Sequence, residues 1–116
     1  MIFFRVIPII LIDNKECIKT FKFKKRKYLG DPINIIKIYN DLGVDEIIVI
    51  NLVKDNIDFE YFKSLSEESF VPLSFGGSIK NLDQIEKITS VGYEKVLLNS
   101  AFYNNFDFLK KAIAEF

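Results

Sequence analysis

Phe70-Val71-Pro72-Leu73-Ser74-Phe75-Gly76-Gly77-Ser78-Ile79 is the stretch that decides the fold of this chain. It reads as a short buried strand running straight into a Gly-Gly-Ser turn, with a capped helix starting at Asn81. Adjacent glycines at the C-terminal end of a strand let the backbone pass close to a ligand and turn N–H groups toward an anion. In parallel α/β folds that end of the strands is where ligands bind. The stretch therefore predicts both an architecture and a phosphate-sized guest.

Working outward, the same alternation of apolar strand and amphipathic helix recurs. Residues 3–12 are almost continuously apolar and β-branched, predicting a strand buried on both faces. Residues 13–30 are a polar excursion, with Cys17, Ile18, Phe21 and Phe23 set among charges, and predict a small hairpin. Asp31-Pro32 is a helix start, Asp as N-cap and Pro at the first helical position, and Gly43 supplies the stop. A second strand follows at 46–52 and a weaker helical pattern runs from Ile57 to Leu65. The third strand is 71–75. Asn81 with Gln84 three residues later opens the next helix, which ends at Gly92. The fourth strand is 95–98, and a last helix starts near Asn105.

This β-α order calls for a parallel sheet. A weak repeat supports it: Gly43-Val44-Asp45-Glu46 before one strand resembles Gly92-Tyr93-Glu94-Lys95 before another, and Val6-Ile7-Pro8 echoes Phe70-Val71-Pro72. Duplicated βα pairs favour a barrel over a dinucleotide-binding sheet. Four units make the N-terminal (β/α)4 half of a TIM-type (β/α)8 barrel, truncated before its fifth strand. The first and fourth strands are then expected to have unpaired edges, which predicts pairing with a remaining barrel half or self-association.

Composition narrows the chemistry. The 116 residues are 49% hydrophobic and 28% charged, a single globular domain, and 16 basic residues balance 16 acidic ones. No global field favours nucleic acid or an anionic membrane. The cluster Lys22 to Lys27 reads as a solvated loop. With no histidine, His-based triads and His metal sites are excluded within the chain, and no metal or cofactor is expected. The lone Cys17 and the absence of a leader pattern or membrane-length apolar run predict a cytoplasmic protein.

Taken in order, Arg5-Val6-Ile7-Pro8, Lys19, Gly30-Asp31-Pro32, Gly43 to Glu46, Pro72 to Ile79, and Gly92 to Val96 with Asn99-Ser100-Ala101 resemble the cyclase subunit of imidazole glycerol phosphate synthase. The resemblance covers essentially the whole chain. It implies a barrel that receives ammonia from a glutaminase and delivers it to a substrate with two phosphates, using one acid on the first strand and another on the fifth. The first acid position is Leu11 here, and leucine cannot transfer a proton. Asp13 shares its strand parity and is the weak substitute. The family's aspartate at the end of the second strand is Asn51, and the second acid would lie beyond Phe116.

Other positions match. The resemblance assigns Gly76, Gly77, Ser78, Asn99 and Ser100 to a phosphate subsite, with Ser78 replacing a glycine, and Lys19 to a mobile loop over bound substrate. Arg5, Glu46 and Lys95 match a charged gate at the bottom of the ammonia channel; buried charges at strand mouths also have to pair on physical grounds. Asp45 and Glu94 match the face that docks the glutaminase. Channel kept and chemistry removed resembles a divergent branch associated with surface-polysaccharide genes and sugar amidation. A histidine-pathway cyclase and a non-catalytic half-barrel interaction module are the alternatives.

Overall fold

The computed structural model describes residues 4–21, 25–98 and 106–116. Among these the chain runs β1 (Ile9–Asp13), β2 (Glu16–Phe21), β3 (Lys25–Gly30), α1 (Pro32–Leu42), β4 (Ile47–Asn51), α2 (Phe59–Glu67), β5 (Leu73–Gly76), α3 (Leu82–Ser90), β6 (Lys95–Leu97) and α4 (Phe106–Glu115). The strands form one sheet in the order β3-β2-β1-β4-β5-β6. The β1-β4, β4-β5 and β5-β6 pairs are parallel, which makes four successive strand-helix units: a half-barrel architecture.

Local chemistry sets the helix ends. The Asp31 carboxylate accepts from the Ile33 N–H at 2.8 Å, Pro32 occupies the first turn, and Gly43 closes α1 in the left-handed conformation, φ 77°. Asn81 accepts from the Gln84 N–H at 2.9 Å, while the Gln84 side chain accepts from Lys80 N–H rather than from the cap itself. α2 starts at Phe59 because Asp58 caps it, accepting from Tyr61 N–H. Ile57 and Phe62, one residue before that cap and four after it, are both buried in the core, the arrangement of a hydrophobic staple.

The core lies between the sheet and the helices. Ile10, Ile12, Ile47, Val49, Leu73 and Phe75 pack from the sheet against Ile36, Phe62, Leu65, Ile85 and Ile88. Phe62, Phe75 and Tyr93 stack edge to face at 4.9 and 5.4 Å. The Tyr93 hydroxyl donates to the Phe62 carbonyl at 2.8 Å.

Three expectations need correction. β1 begins at Ile9, not near residue 3; the residues from Phe4 on join through isolated bonds, Asp45 N–H to the Val6 carbonyl, Val6 N–H to the Asp45 carboxylate and Ile48 N–H to the Pro8 carbonyl. Pro8 has no N–H to extend the ladder. Nor is β1 buried on both faces: Ile10 and Ile12 are in the core, whereas Ile9 is 59% exposed on the face that the helices leave open. Finally, β1 has no free edge. The hairpin β2-β3 joins the sheet, with Leu11 opposite Ile18 and Ile12 opposite Cys17 in an antiparallel pair. Cys17 is thereby buried in the core, and burial pushes its thiol pKa up.

Candidate functional site

Strand parity sorts the open face into rows. Ile9, Ile48, Ser74 and Lys95 lie side by side across β1, β4, β5 and β6, and Leu11, Ile50, Gly76 and Leu97 form the next row toward the C-terminal ends. Below the first row, at the N-terminal ends, Arg5, Asp45, Glu46, Pro72, Glu94 and Lys95 line a cleft of about 300 Å³.

Glu46 is the centre of this cleft. It is only 7% exposed, yet charged. Lys95 Nζ stands 3.1 and 3.3 Å from its two carboxylate oxygens, and the Ser74 hydroxyl donates to Oε1 at 2.6 Å. The Ser74 hydrogen bond is the largest cause holding the Glu46 carboxyl below its ordinary value; burial opposes it, and the bond and charge of Lys95 and the charge of Arg5 add to it. Asp45 is turned to the backbone instead, its carboxylate accepting from Val6 N–H at 2.7 Å. Glu94 is exposed and donates its own N–H to the Leu73 carbonyl at 2.8 Å. The arrangement is a charge-compensated polar mouth under an apolar row.

The sequence alone does not single out Ser74. It sits between Leu73 and Phe75 in an apolar strand, and only its register opposite Lys95 gives it away.

The opposite end of the sheet is built from two turns tied together. Asn51 donates its amide to the Asn56 carbonyl at 2.8 Å and accepts from Val53 N–H at 3.1 Å, so its side chain orders its own loop. Ser78 donates its hydroxyl to the Val53 carbonyl, and Lys80 pairs with Asp55. Gly77 has φ 90°, and a Cβ there would fall 2.2 Å from the Asn51 carbonyl oxygen. Ser78 itself has φ 60°, a conformation that glycine adopts more readily. The Gly76-Gly77-Ser78 turn is therefore close-packed onto the end of β4.

Leu11 is half-buried in the second row, and Asp13, of the same parity, lies opposite Glu16 at the β1-β2 turn. Lys19 is on β2, exposed and directly across from Lys27. Its register puts it on the pleat face of Cys17, not that of Ile18 and Leu11. Asn99 and Ser100 lie outside the described residues. Among the described residues no three His, Cys, Asp or Glu side chains gather as metal ligands, and no helix is long and apolar enough to cross a membrane.

Comparison with known proteins places this geometry in context. The family model described as "Histidine biosynthesis protein" matches residues 5–116. A Pseudomonas aeruginosa protein with the provisional name imidazole glycerol phosphate synthase subunit hisF2 is 38% identical over 116 residues, covering 97% of this chain and 46% of its own length. A Campylobacter jejuni protein of the same provisional name is 37% identical, with 93% and 45% covered. The imidazole glycerol phosphate synthase subunit HisF of Methanococcus maripaludis is 32% identical, with 93% and 41% covered. The chain thus spans less than half the length of these curated relatives, in keeping with four of eight barrel units. On the match of nearly all its residues, the chain belongs to the histidine biosynthesis protein family, whose barrel fold its strand-helix units share.

Proposed function

We propose that this chain forms the ammonia-conducting entrance of a synthase-type subunit. A glutaminase docks on the face carrying Asp45 and Glu94, and ammonia enters past Arg5, Glu46 and Lys95 toward a phosphorylated acceptor held near Gly76, Gly77 and Ser78. The observation that carries the reading is the compensated Glu46–Lys95 pair, set beneath a row of Leu11, Ile50 and Leu97. A small uncharged molecule crosses such a row at little cost, whereas an ion must shed its hydration.

Leu11 supports nitrogen delivery over ring-forming chemistry, because the proton-transferring position holds an alkyl group. The identity is greater to the relatives of provisional hisF2 name, 38% and 37%, than to the Methanococcus HisF subunit, 32%; the reaction proposed for the chain is nitrogen delivery in sugar amidation for surface polysaccharide. Histidine-pathway cyclisation is the reading that Leu11 disfavours.

The test is transfer of glutamine-derived nitrogen, measured with the glutaminase, the acceptor enzyme and ¹⁵N-amide glutamine. Lys95→Ala is expected to leave glutamine hydrolysis intact and to lower the ¹⁵N reaching the acceptor relative to ammonium-supplied reactions. Equal transfer by wild type and K95A would remove Lys95 from the path. Failure of the chain to bind or stimulate any glutaminase would favour the interaction-module alternative, for which the open β6 edge and the exposed Ile9 and Leu97 would be the contact surface.

A further inference from the structure

We propose that Ser74 is a positioning residue for the charged mouth: its hydroxyl, not the Lys95 ammonium, fixes where the Glu46 carboxylate stands. The inference rests on the channel reading for its functional consequence, but its structural content is independent of it.

A serine hydroxyl has one proton to donate. Ser74 is 1% exposed in the middle of the sheet, so that proton must find a partner inside the protein. It goes to Glu46 Oε1 at 2.6 Å, the short length expected of a charge-assisted bond. The Lys95 side chain is 53% exposed and reaches the same carboxylate on a long flexible stem. Exposed lysines hold a geometry weakly, because ordering the stem costs entropy and water screens the charge. Serine has a single side-chain torsion and is carried by a strand paired on both sides, to β4 and β6. Ser74 is thus the rigid anchor, and Lys95 is the compensating charge. Of the other charged groups at the cleft, Arg5 acts on the carboxylate through its charge alone, the Asp45 carboxylate is taken up by Val6 N–H, and Glu94 is exposed.

The experiment uses the 116-residue chain with ¹³C-labelled glutamate and follows the Glu46 carboxyl resonance through a pH titration. Ser74→Ala and Ser74→Val are expected to move its midpoint upward, and Ser74→Thr, which has valine's shape and restores the hydroxyl, to return it toward wild type. Valine and threonine differ only at the group in question, so a packing effect moves both variants alike and is separated from the hydroxyl's effect. An unchanged midpoint in S74A and S74V, or an equal shift in S74V and S74T, would overturn the proposal. Glutamine-to-acceptor transfer is then compared in S74V and S74T. Loss in S74V with recovery in S74T supports the anchor's role in the channel; a shifted midpoint with unchanged transfer leaves the anchor standing and counts against the channel reading.

Discussion

Replacing Gly77 by alanine tests whether the turn after β5 is a close-packed joint. The matched control is Gly43→Ala. Both glycines have left-handed φ, 90° and 77°, so both substitutions carry a comparable backbone penalty of about 1 kcal/mol. They differ in what the new methyl meets. At Gly43 nothing lies within 4 Å of the added carbon, whereas at Gly77 it lies 2.2 Å from the Asn51 carbonyl oxygen and 3.1 and 3.2 Å from the Asn51 carbonyl carbon and nitrogen. Those are backbone atoms at the end of β4 and cannot rotate away. Relief requires the turn to lift by roughly 1 Å, an overpacking strain of about 3 kcal/mol.

The sum predicts a loss of about 4 kcal/mol for G77A and about 1 kcal/mol for G43A. At about 4 °C per kcal/mol for a domain of this size, the melting points fall by roughly 16 °C and roughly 4 °C. Urea unfolding followed by far-UV circular dichroism measures both, with equal m-values as the check that only stability changed. Equal losses for the two variants would refute the argument, because they share everything except the contact with Asn51.

Two further predictions concern pH. Glu46 is held below its ordinary value of 4.5 by Ser74 and Lys95, so its contribution to stability is present above that value and disappears as pH falls through the lowered folded one. The stability difference between wild type and Glu46→Gln, measured by urea unfolding, should therefore be widest near neutrality and shrink below pH 4.5; a difference independent of pH would contradict it. Burial pushes the Tyr93 phenol pKa far above its ordinary 10.0, so the stability tied to its neutral form is complete below pH 10.0 and is lost progressively above it. Tyr93→Phe should cost about 1 kcal/mol at neutral pH through the lost bond to the Phe62 carbonyl, and it should lose less stability than wild type on raising the pH past 10.0. Parallel alkaline curves for the two proteins would place the ionising group elsewhere.

Most of the fold was legible because its signals are local. Asp31-Pro32, Gly43, Asn81 and the apolar runs each specify their own geometry within a few residues, and the four strand-helix units follow from their order. The docking of the hairpin was not legible in this way. Polar alternation from Lys15 to Lys27 specifies two strands but not that Ile18 and Cys17 align with Leu11 and Ile12, because that register depends on β1 lying alongside. The charged group was legible by position, as Arg5, Glu46 and Lys95 each come at or before the start of an apolar run and meet at one cleft. Ser74 was not, since a hydroxyl in a short apolar strand is informative only once Lys95 is seen opposite it. The role of Asn51 was not legible either: its place at a strand end does not reveal that its amide is taken up by Asn56 and Val53 of its own loop.

The two rows of the open face also constrain what Leu11 can mean. A carboxylate at that position would face Ile50 across the β1-β4 pair and Ile18 across the β1-β2 pair, an alkyl side chain on either side. Flanked by alkyl groups and half-buried, it would be pushed toward its neutral form, useful to an enzyme that needs a proton donor there and costly to one that does not. Leucine removes that cost and completes an apolar row with Ile50 and Leu97 above the polar mouth. Under the proposed reading the substitution is thus part of a conduit: charge balance is concentrated at Glu46, Ser74 and Lys95, and the row of Leu11, Ile50 and Leu97 between them and the Gly76-Gly77 turn offers an uncharged nitrogen source no side-chain group with which to exchange a proton.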